Sequence, residues 1–251
     1  MEPILIALII GLLAGIASGA FGIGGAAVTA PLMRILLDSP GHVAVGTPLP
    51  LVIPMALSGL YVFHKMGAIR MKVILTAGIV GSIFSVLGAF LTMRFSGSEM
   101  MLFIAMILFL SSLLLFSKLP RPSKKMESDI PRMASIGALC GFVSGFLGIG
   151  GGGFLVPLFM LLLGLSVHEA IACSLGTIIL YAIPGSVTHL MLNHIDVGYL
   201  LPILVFGVIG AQLGSRFVMN QDAKKTKLVL AAFYLLLGLI LVLNESFVPV
   251  A

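Results

Sequence analysis

Two short runs of glycine are the residues of this 251-residue chain whose type and spacing are best suited to chemistry. The first run is Gly22–Gly25 and the second is Gly148–Gly153. Glycine is a poor helix former and tolerates positive φ, so each run predicts a break between two helical segments. The segment after each break begins with free backbone N–H groups at the positive end of its dipole, which favours a bound anion. A flexible break without a ligand is the alternative interpretation.

Side chains near the two runs add hydrogen-bonding groups without adding charge. No lysine or arginine lies beside either run, whereas Thr47, Cys173 and Ser174 lie near the start of the third apolar segment of each half. These groups either contact a ligand or hydrogen-bond to freed backbone carbonyls. Ser18 and Ser144 either contact the ligand or pack at a tight helix contact. The residues predicted to bind a substrate are Gly22, Gly24, Gly25, Ala26, Thr47, Gly148, Gly150, Gly151, Gly152, Cys173 and Ser174.

The two glycine runs belong to a longer internal repeat with an offset of 126 residues. Residues 11–32 match residues 137–158 at eleven of 22 positions, including six glycines, one serine and one proline. The correspondence continues without a gap, and Gly88 aligns with Gly214 near its end. Scattered matches between apolar residues arise by chance, but this many aligned glycines do not. We therefore interpret the pattern as an internal duplication, which is typical of transporter folds.

The elements that must position the glycine runs are strongly apolar. Hydrophobic residues make up 59% of the chain and charged residues only 9%, against roughly a quarter charged in a soluble domain. Most of the apolar segments are long enough to cross a bilayer as helices. Each half contains five such segments, predicted at 4–20, 25–37, 44–63, 72–93 and 99–117, and at 133–147, 152–164, 169–189, 197–217 and 227–244.

The sequence therefore predicts an all-α integral membrane protein made of two inverted repeats with glycine-broken helices. The first transmembrane repeat is predicted at 1–117 and the second at 133–251, joined by a basic cytoplasmic linker at 118–132. The linker is rich in proline, serine and charge, which is typical of a solvated loop.

The distribution of basic residues predicts how the segments cross the membrane. Lysine and arginine cluster in the loop at 64–72, in the linker and at 217–227, whereas the loop at 190–196 has neither. If each half crosses five times, all three basic clusters face the cytoplasm, as the positive-inside rule requires. Four crossings would instead put the cluster at 217–227 opposite the linker. An odd number of crossings also makes the two halves inverted relative to each other.

This arrangement places Asp196 and both termini outside the cytoplasm and Lys65 inside it. The first apolar segment follows Met1 without a basic region, which predicts a retained helix rather than a cleaved signal. Arg34 and Arg94 fit poorly, because they lie on the extracytoplasmic side. The first two segments of each half form one bent span, a re-entrant pair or two crossings, and the sequence leaves these three open.

The remaining reactive residues form no recognisable enzyme or cofactor site. The sequence has no metal-binding histidine–cysteine cluster, no serine nucleophile with partners and no P-loop lysine after the glycines. Cys140 and Cys173 lie in apolar segments and are interpreted as small buried residues. The basic residues are explained by cytoplasmic loops, so no nucleic-acid partner is predicted, and neither an enzymatic activity nor a cofactor or metal is expected.

The five histidines divide into two groups. His42 and His168 are aligned by the repeat, and they either cap helices and pack at the interface or couple protons to transport. The other three lack a histidine at the aligned position, and we predict that they are peripheral; they are His64, His189 and His194.

At the glycine runs the sequence resembles the sulfite exporter TauE/SafE family of membrane permeases, which carries a G-x-x-x-G-x-x-G-x-G-G-G pattern in both halves. Here the pattern covers Gly15–Gly25 followed by Ala26, and Gly141–Gly152. The Ala-Val-Gly-Thr stretch that ends at Thr47 is also similar to the family. Two departures bear on the choice of cargo: Ala26 replaces the last glycine of the first copy, and Cys173 stands where the first half has Thr47.

The resemblance implies a secondary transporter that moves a small sulfur-containing anion, such as sulfite or an organosulfonate, across the cell inner membrane. Transport would proceed by alternating access without ATP hydrolysis. The expected partners are the small anion and the lipid bilayer, and the sequence is compatible with a homo-oligomer. An anion channel and a non-transporting membrane subunit are the alternatives; a channel would use the same backbone dipoles, whereas a scaffold has no need of broken helices.

Overall fold

The computed structural model describes residues 3–117 and 129–247, without the side chains of residues 246 and 247. Within these ranges every regular element is helical. A single 3-10 turn, Thr92–Arg94, follows the fifth α-helix. The α-helices are α1 Pro3–Phe21, α2 Ala26–Leu36, α3 Gly41–Gly46, α4 Pro48–His64, α5 Met71–Leu91, α6 Gly97–Phe116, α7 Ile130–Leu147, α8 Gly152–Leu162, α9 Val167–Met191, α10 Val197–Met219 and α11 Ala223–Phe247.

Eight helical segments in the described ranges are long and apolar enough to cross a membrane. One of them combines α3 and α4, which meet at Thr47 just before Pro48. The two exceptions among the predicted apolar segments are α2 and α8, which have 11 residues each. At 1.5 Å per residue such a helix is about 16 Å long, roughly half the bilayer core. The chain is a multi-pass membrane protein in which α2 and α8 do not cross by themselves.

The short helices fold back on the helices that precede them. A methyl group on Gly25, at the start of α2, would lie 2.9 Å from the carbonyl oxygen of Ala14 in the middle of α1. The same relation holds between Gly151 and Cys140, at 2.7 Å. Arg132, in the first turn of α7, donates to the carbonyl of Leu162 at the end of α8 (3.1 Å). Each pair is therefore a helical hairpin with a long arm, α1 or α7, and a short arm, α2 or α8. This corrects the predicted five crossings in each half to four helices long enough to cross and one short helix that turns back.

The two halves are interlaced through their glycine-rich helices. Helix α1 packs along α10, where Gly15 of α1 lies against the backbone of Gly207. Helix α7 packs along α5 in the same way, and Gly141 lies against Gly81. These two pairs are related by the offset of 126, because 15 corresponds to 141 and 81 to 207. Glycines recur every four residues along α1 and α7, and this spacing lets two helix backbones approach closely.

The bundle has two ends that differ in their residues. At the end that we call the Asp196 end, the amide of Asp196 donates to Thr47 Oγ1 (2.9 Å), and Gly41 lies against Gly97. At the opposite end, the Arg70 end, the guanidinium of Arg70 donates to the carboxylate of Glu169. Helices α4, α6 and α10 run from the Asp196 end to the Arg70 end. Helices α5, α9 and α11 run back, a pattern compatible with the inverted arrangement.

Three sequence-based expectations change in the structure. Helix α7 begins at Ile130 with Asp129 as its N-cap, so the last residues of the predicted linker are helical, and residues 118–128 lie outside the described residues. Arg34 is paired with Glu245 (3.5 Å), which explains why a cation is tolerated at the Asp196 end. His189 was predicted to be peripheral and this was wrong, because its side chain is buried inside the bundle.

Candidate anion site

Each glycine run forms a tight turn of the same shape at the tip of its hairpin. Gly25 and Gly151 are the last residues before α2 and α8, and both adopt the left-handed conformation. This conformation is strained for residues with a Cβ, so the turns require glycine. The positive φ angles are 70°, 73° and 81° at Gly22, Gly24 and Gly25, and 62°, 71° and 61° at Gly148, Gly150 and Gly151.

The two turns meet at the centre of the protein. Methyl groups placed on Gly24 and Gly150 would both contact Val52 and Ile178, at distances between 2.6 and 3.5 Å. Val52 and Ile178 are themselves related by the offset of 126, so both turns contact the same pair of repeat mates. A methyl group on Gly152 would collide with the backbone of the first turn. The structure thus brings together the two runs that lie 126 residues apart in sequence.

The backbone amides of the two turns lack hydrogen-bond acceptors. The amides of Gly22 and Gly148 donate to carbonyls one helical turn earlier. The next amides along the chain that donate to a backbone carbonyl are those of Val28 and Phe154. All the residues between these positions are buried. A buried amide without an acceptor costs about 1–3 kcal/mol, so native proteins rarely leave several together. Ten such amides have no acceptor among the described residues, those of residues 23–27 and 149–153.

A neighbouring hydroxyl group holds one carbonyl of each turn. Ser174 donates to the carbonyl of Gly22 (2.7 Å), and Tyr181 donates to that of Gly150 (2.6 Å). Ser174 was predicted from the sequence to belong to this region. Tyr181 was missed, because a single tyrosine in an apolar helix carries no spacing signal. The carbonyl oxygens of Gly22 and Gly150 therefore already have partners, and those of Gly25 and Gly151 accept from the first turns of α2 and α8.

Ser18 and Ser144 are the most informative hydroxyls of the site. They are repeat mates, both fully buried, and neither Oγ has a hydrogen-bond partner in the described part of the chain. Each lies one helical turn after the residue, Ala14 or Cys140, that contacts the following glycine turn. Because residues i and i+4 share a helix face, both serines lie on the faces that pack towards the turns.

The structure thus places buried donors between the starts of α2 and α8, and the sequence can now be compared with those of known proteins. The sequence profile of the family described as "Sulfite exporter TauE/SafE" matches residues 7–241. The chain belongs to that family.

Three relatives of the chain carry the description of probable membrane transporter proteins. YdhB of Bacillus subtilis is 30% identical over 211 residues, which cover 82% of this chain and 86% of the relative. YunE of the same organism is 28% identical over 268 residues, covering 96% and 98%. A protein of Methanocaldococcus jannaschii is 28% identical over 257 residues, covering 96% and 95%. This member of the TauE/SafE family is therefore a membrane transporter.

Thr47 and Cys173 occupy different ends of this TauE/SafE protein and do not meet each other. Thr47 Oγ1 accepts the amide hydrogen of Asp196, and Cys173 Sγ lies 4.0 Å from the carbonyl oxygen of Arg70. Both contacts join equivalent positions, since Asp196 and Arg70 are also repeat mates. The two residues therefore position the loops before α10 and α5. Thr47 lies two residues after Val45, which contacts Gly148 of the second turn. Cys173 lies two residues after Ile171, which contacts Gly22 of the first turn.

The polarity of the candidate site comes from the backbone rather than from charged side chains. Helices α2 and α8 both begin at the turns, so each directs the positive end of its dipole towards the centre. The ion pair of Arg70 with Glu169 lies at the Arg70 end, one helical turn before Cys173. Among the described residues no group of three or more histidine, cysteine, aspartate or glutamate side chains is arranged to hold a metal ion.

Proposed function

We propose that this protein is a secondary transporter that carries a small sulfur-containing anion, such as sulfite or an organosulfonate, by alternating access. The anion would be held between the two glycine turns. The observation that carries this proposal is the cluster of ten buried amides without acceptors at the tips of the two hairpins. The family description supports the substrate class, because it names sulfite export.

The chemistry of the donors favours a compact oxyanion. Backbone N–H groups at two helix starts, together with the hydroxyls of Ser18 and Ser144, are donors that match oxygen atoms carrying negative charge. No lysine or arginine adjoins either turn, so the charge of the ligand would be balanced by dipoles alone. Such a site binds its ligand moderately, which suits a protein that must also release it.

The symmetry of the bundle supports alternating access. The hairpin of α1 and α2 opens towards the Asp196 end, whereas the hairpin of α7 and α8 opens towards the Arg70 end. Inverted repeats of this kind allow one site to be reached from either side as the two ends open in turn. We place the Arg70 end in the cytoplasm, because the basic loop at 64–72 lies there.

The test is a binding and transport screen on the purified, reconstituted protein. Sulfite, methanesulfonate, sulfate, thiosulfate and acetate are compared with neutral dimethyl sulfone, by thermal stabilisation and by uptake of labelled anion. We expect stabilisation by sulfur oxyanions, saturable uptake, and acceleration of uptake by the same anion inside the vesicle. Uptake that does not saturate and shows no such counterflow would identify a channel. A response to dimethyl sulfone alone would overturn the anion site.

A further inference from the structure

Three histidines form a chain at the Asp196 end that leads into the core. The ring of His42 on α3 lies 5.0 Å from that of His194 in the loop before α10, and His194 lies 5.5 Å from His189 on α9. His42 and His194 are partly exposed, whereas His189 is fully buried. His189 Nε2 is 2.7 Å from the carbonyl oxygen of Gly145, the residue after Ser144. The three histidines thus connect the surface with α7, the helix that precedes the second glycine turn.

The hydrogen bonds of His189 determine how many protons this chain can hold. A carbonyl only accepts, so Nε2 of His189 carries a hydrogen and its Nδ1 is an acceptor in the neutral ring. That Nδ1 lies 3.2 Å from Nδ1 of His194, which must therefore donate. If both rings were fully protonated, two N–H groups would point at each other. The His189–His194 pair therefore accommodates one additional proton and not two.

The internal repeat shows that the fold does not need these histidines. At the Arg70 end the positions equivalent to His189 and His194 are occupied by Phe63 and Ala68, which are buried in the same fold. His168 is the mate of His42, and its ring contacts the carbonyl oxygen of Val218 (3.3 Å). The histidine pair therefore occurs at one end of the bundle, and an apolar pair occupies the equivalent positions at the other. An ordinary packing role would be filled equally well by the apolar pair.

Other charged groups at the Asp196 end do not neutralise the pair. The nearest acid in sequence is Asp196, whose carboxylate accepts from the amide of Gly198. Burial and the neighbouring His42 lower the pKa of His194 below its ordinary value. The other charged groups that the structure describes at this end are exposed or engaged elsewhere: Asp38 and Arg94 are exposed, Glu99 closes a capping box with Ser96, and Arg34 pairs with Glu245.

We propose that the His189–His194 pair binds one proton in each transport cycle, so that the protein is a proton–anion symporter. This proposal rests on the proposed function, since it assigns the co-substrate of the same site. Gly145 is three residues before Gly148, about 4.5 Å along α7, so an anion at the turns lies close enough to favour the charged pair. Linkage is reciprocal, and protonation of the pair would strengthen anion binding by the same factor.

The transport test uses proteoliposomes with a pH dye inside and methanesulfonate as the probe, because it carries no proton of its own. We expect proton entry with the anion, and about tenfold accumulation for an inside pH one unit higher, as one proton for each monovalent anion requires. His189→Gln keeps an N–H donor for Gly145 but does not titrate. We expect it to retain counterflow and to lose proton entry and accumulation. His194→Ala should behave likewise, and exposed His64→Ala should match the original protein.

The transport assay decides the proposal first, and NMR decides it if no anion is transported. Methanesulfonate transport without proton movement in the original protein would overturn it, as would undiminished proton coupling in both variants. If no anion is transported, the proposed function itself fails, and nitrogen NMR of histidine-labelled protein then tests the site alone. One protonation shared by His189 and His194, absent from His189→Gln, would support the site. Two independent titrations would overturn it.

Discussion

The two copies of the internal repeat are alike at the centre of the bundle and differ at its two ends. At the centre, repeat mates are alike and share contacts, as Gly24 and Gly150 do against Val52 and Ile178. At the ends, mates differ in charge and chemistry. Arg70 stands where the other half has Asp196, Glu169 where it has Val43, and His189 where it has Phe63.

The difference arises because different kinds of atoms form the two regions. The proposed anion site is made of backbone amides. At Gly24, Gly25, Gly150 and Gly151 an added side chain meets both a neighbour and a strained φ, so both copies of the turn keep glycine there. The ends are closed by side chains, which can be exchanged while the backbone is kept. A duplicated transporter can therefore keep one symmetric ligand site while its two ends acquire different closing contacts.

The largest effect is expected from labelling, which tests whether the two ends of the bundle face opposite compartments. In a protein with Cys140→Ala and Cys173→Thr, we introduce Asp196→Cys or Lys65→Cys. A membrane-impermeant maleimide should label the cysteine at 196 in intact cells and the one at 65 only after permeabilisation. The expected contrast is all or none, because the two loops lie at opposite ends. Labelling of both from outside would contradict the inverted arrangement.

The next largest effect is expected at the symmetric centre. Gly24→Ala and Gly150→Ala should each weaken anion binding by about 10- to 100-fold. Alanine at positive φ costs roughly 1–2 kcal/mol, and its methyl group meets Val52, which displaces the amides of the turn. Binding is measured by calorimetry on purified protein.

Gly67→Ala is the matched control for the glycine variants. Gly67 also has a positive φ of 64°, but a methyl group there would meet nothing within 4 Å. We expect a comparable backbone strain with unchanged affinity. If Gly67→Ala weakened binding as much as Gly150→Ala, general destabilisation would explain the loss. If Gly24→Ala were harmless and Gly150→Ala were not, the centre would not be symmetric in function.

A smaller effect is expected from the unpartnered hydroxyls. Ser18→Ala and Ser144→Ala should each weaken oxyanion binding by about 1–2 kcal/mol, or roughly 5- to 30-fold, through loss of one hydrogen bond to a charged ligand. Thermal stability without ligand should stay the same or rise, because neither hydroxyl has a partner in the structure. Ser111→Ala on α6 is the control, since Ser111 is equally buried and unpartnered. Unchanged affinity in both variants would remove the serines from the site.

Much of the architecture was determined by the sequence alone. Hydropathy predicted the membrane helices within a few residues, because the bilayer demands long apolar stretches whatever the tertiary packing. The aligned glycines predicted the duplication and the helix breaks at Gly22–Gly25 and Gly148–Gly153, since glycine acts through its own backbone freedom. The close helix contacts at Gly15 and Gly141 followed from the spacing of small residues along one helix face.

Which segments pack against each other depends on long-range contacts. The pairing of α1 with α10 joins residues almost 200 positions apart, and no local propensity specifies it. The return of α2 and α8, the separation of Thr47 from Cys173 and the burial of His189 all depend on that pairing. The ten amides without acceptors could be identified only from the tertiary structure, because whether an amide has an acceptor depends on the groups packed around it.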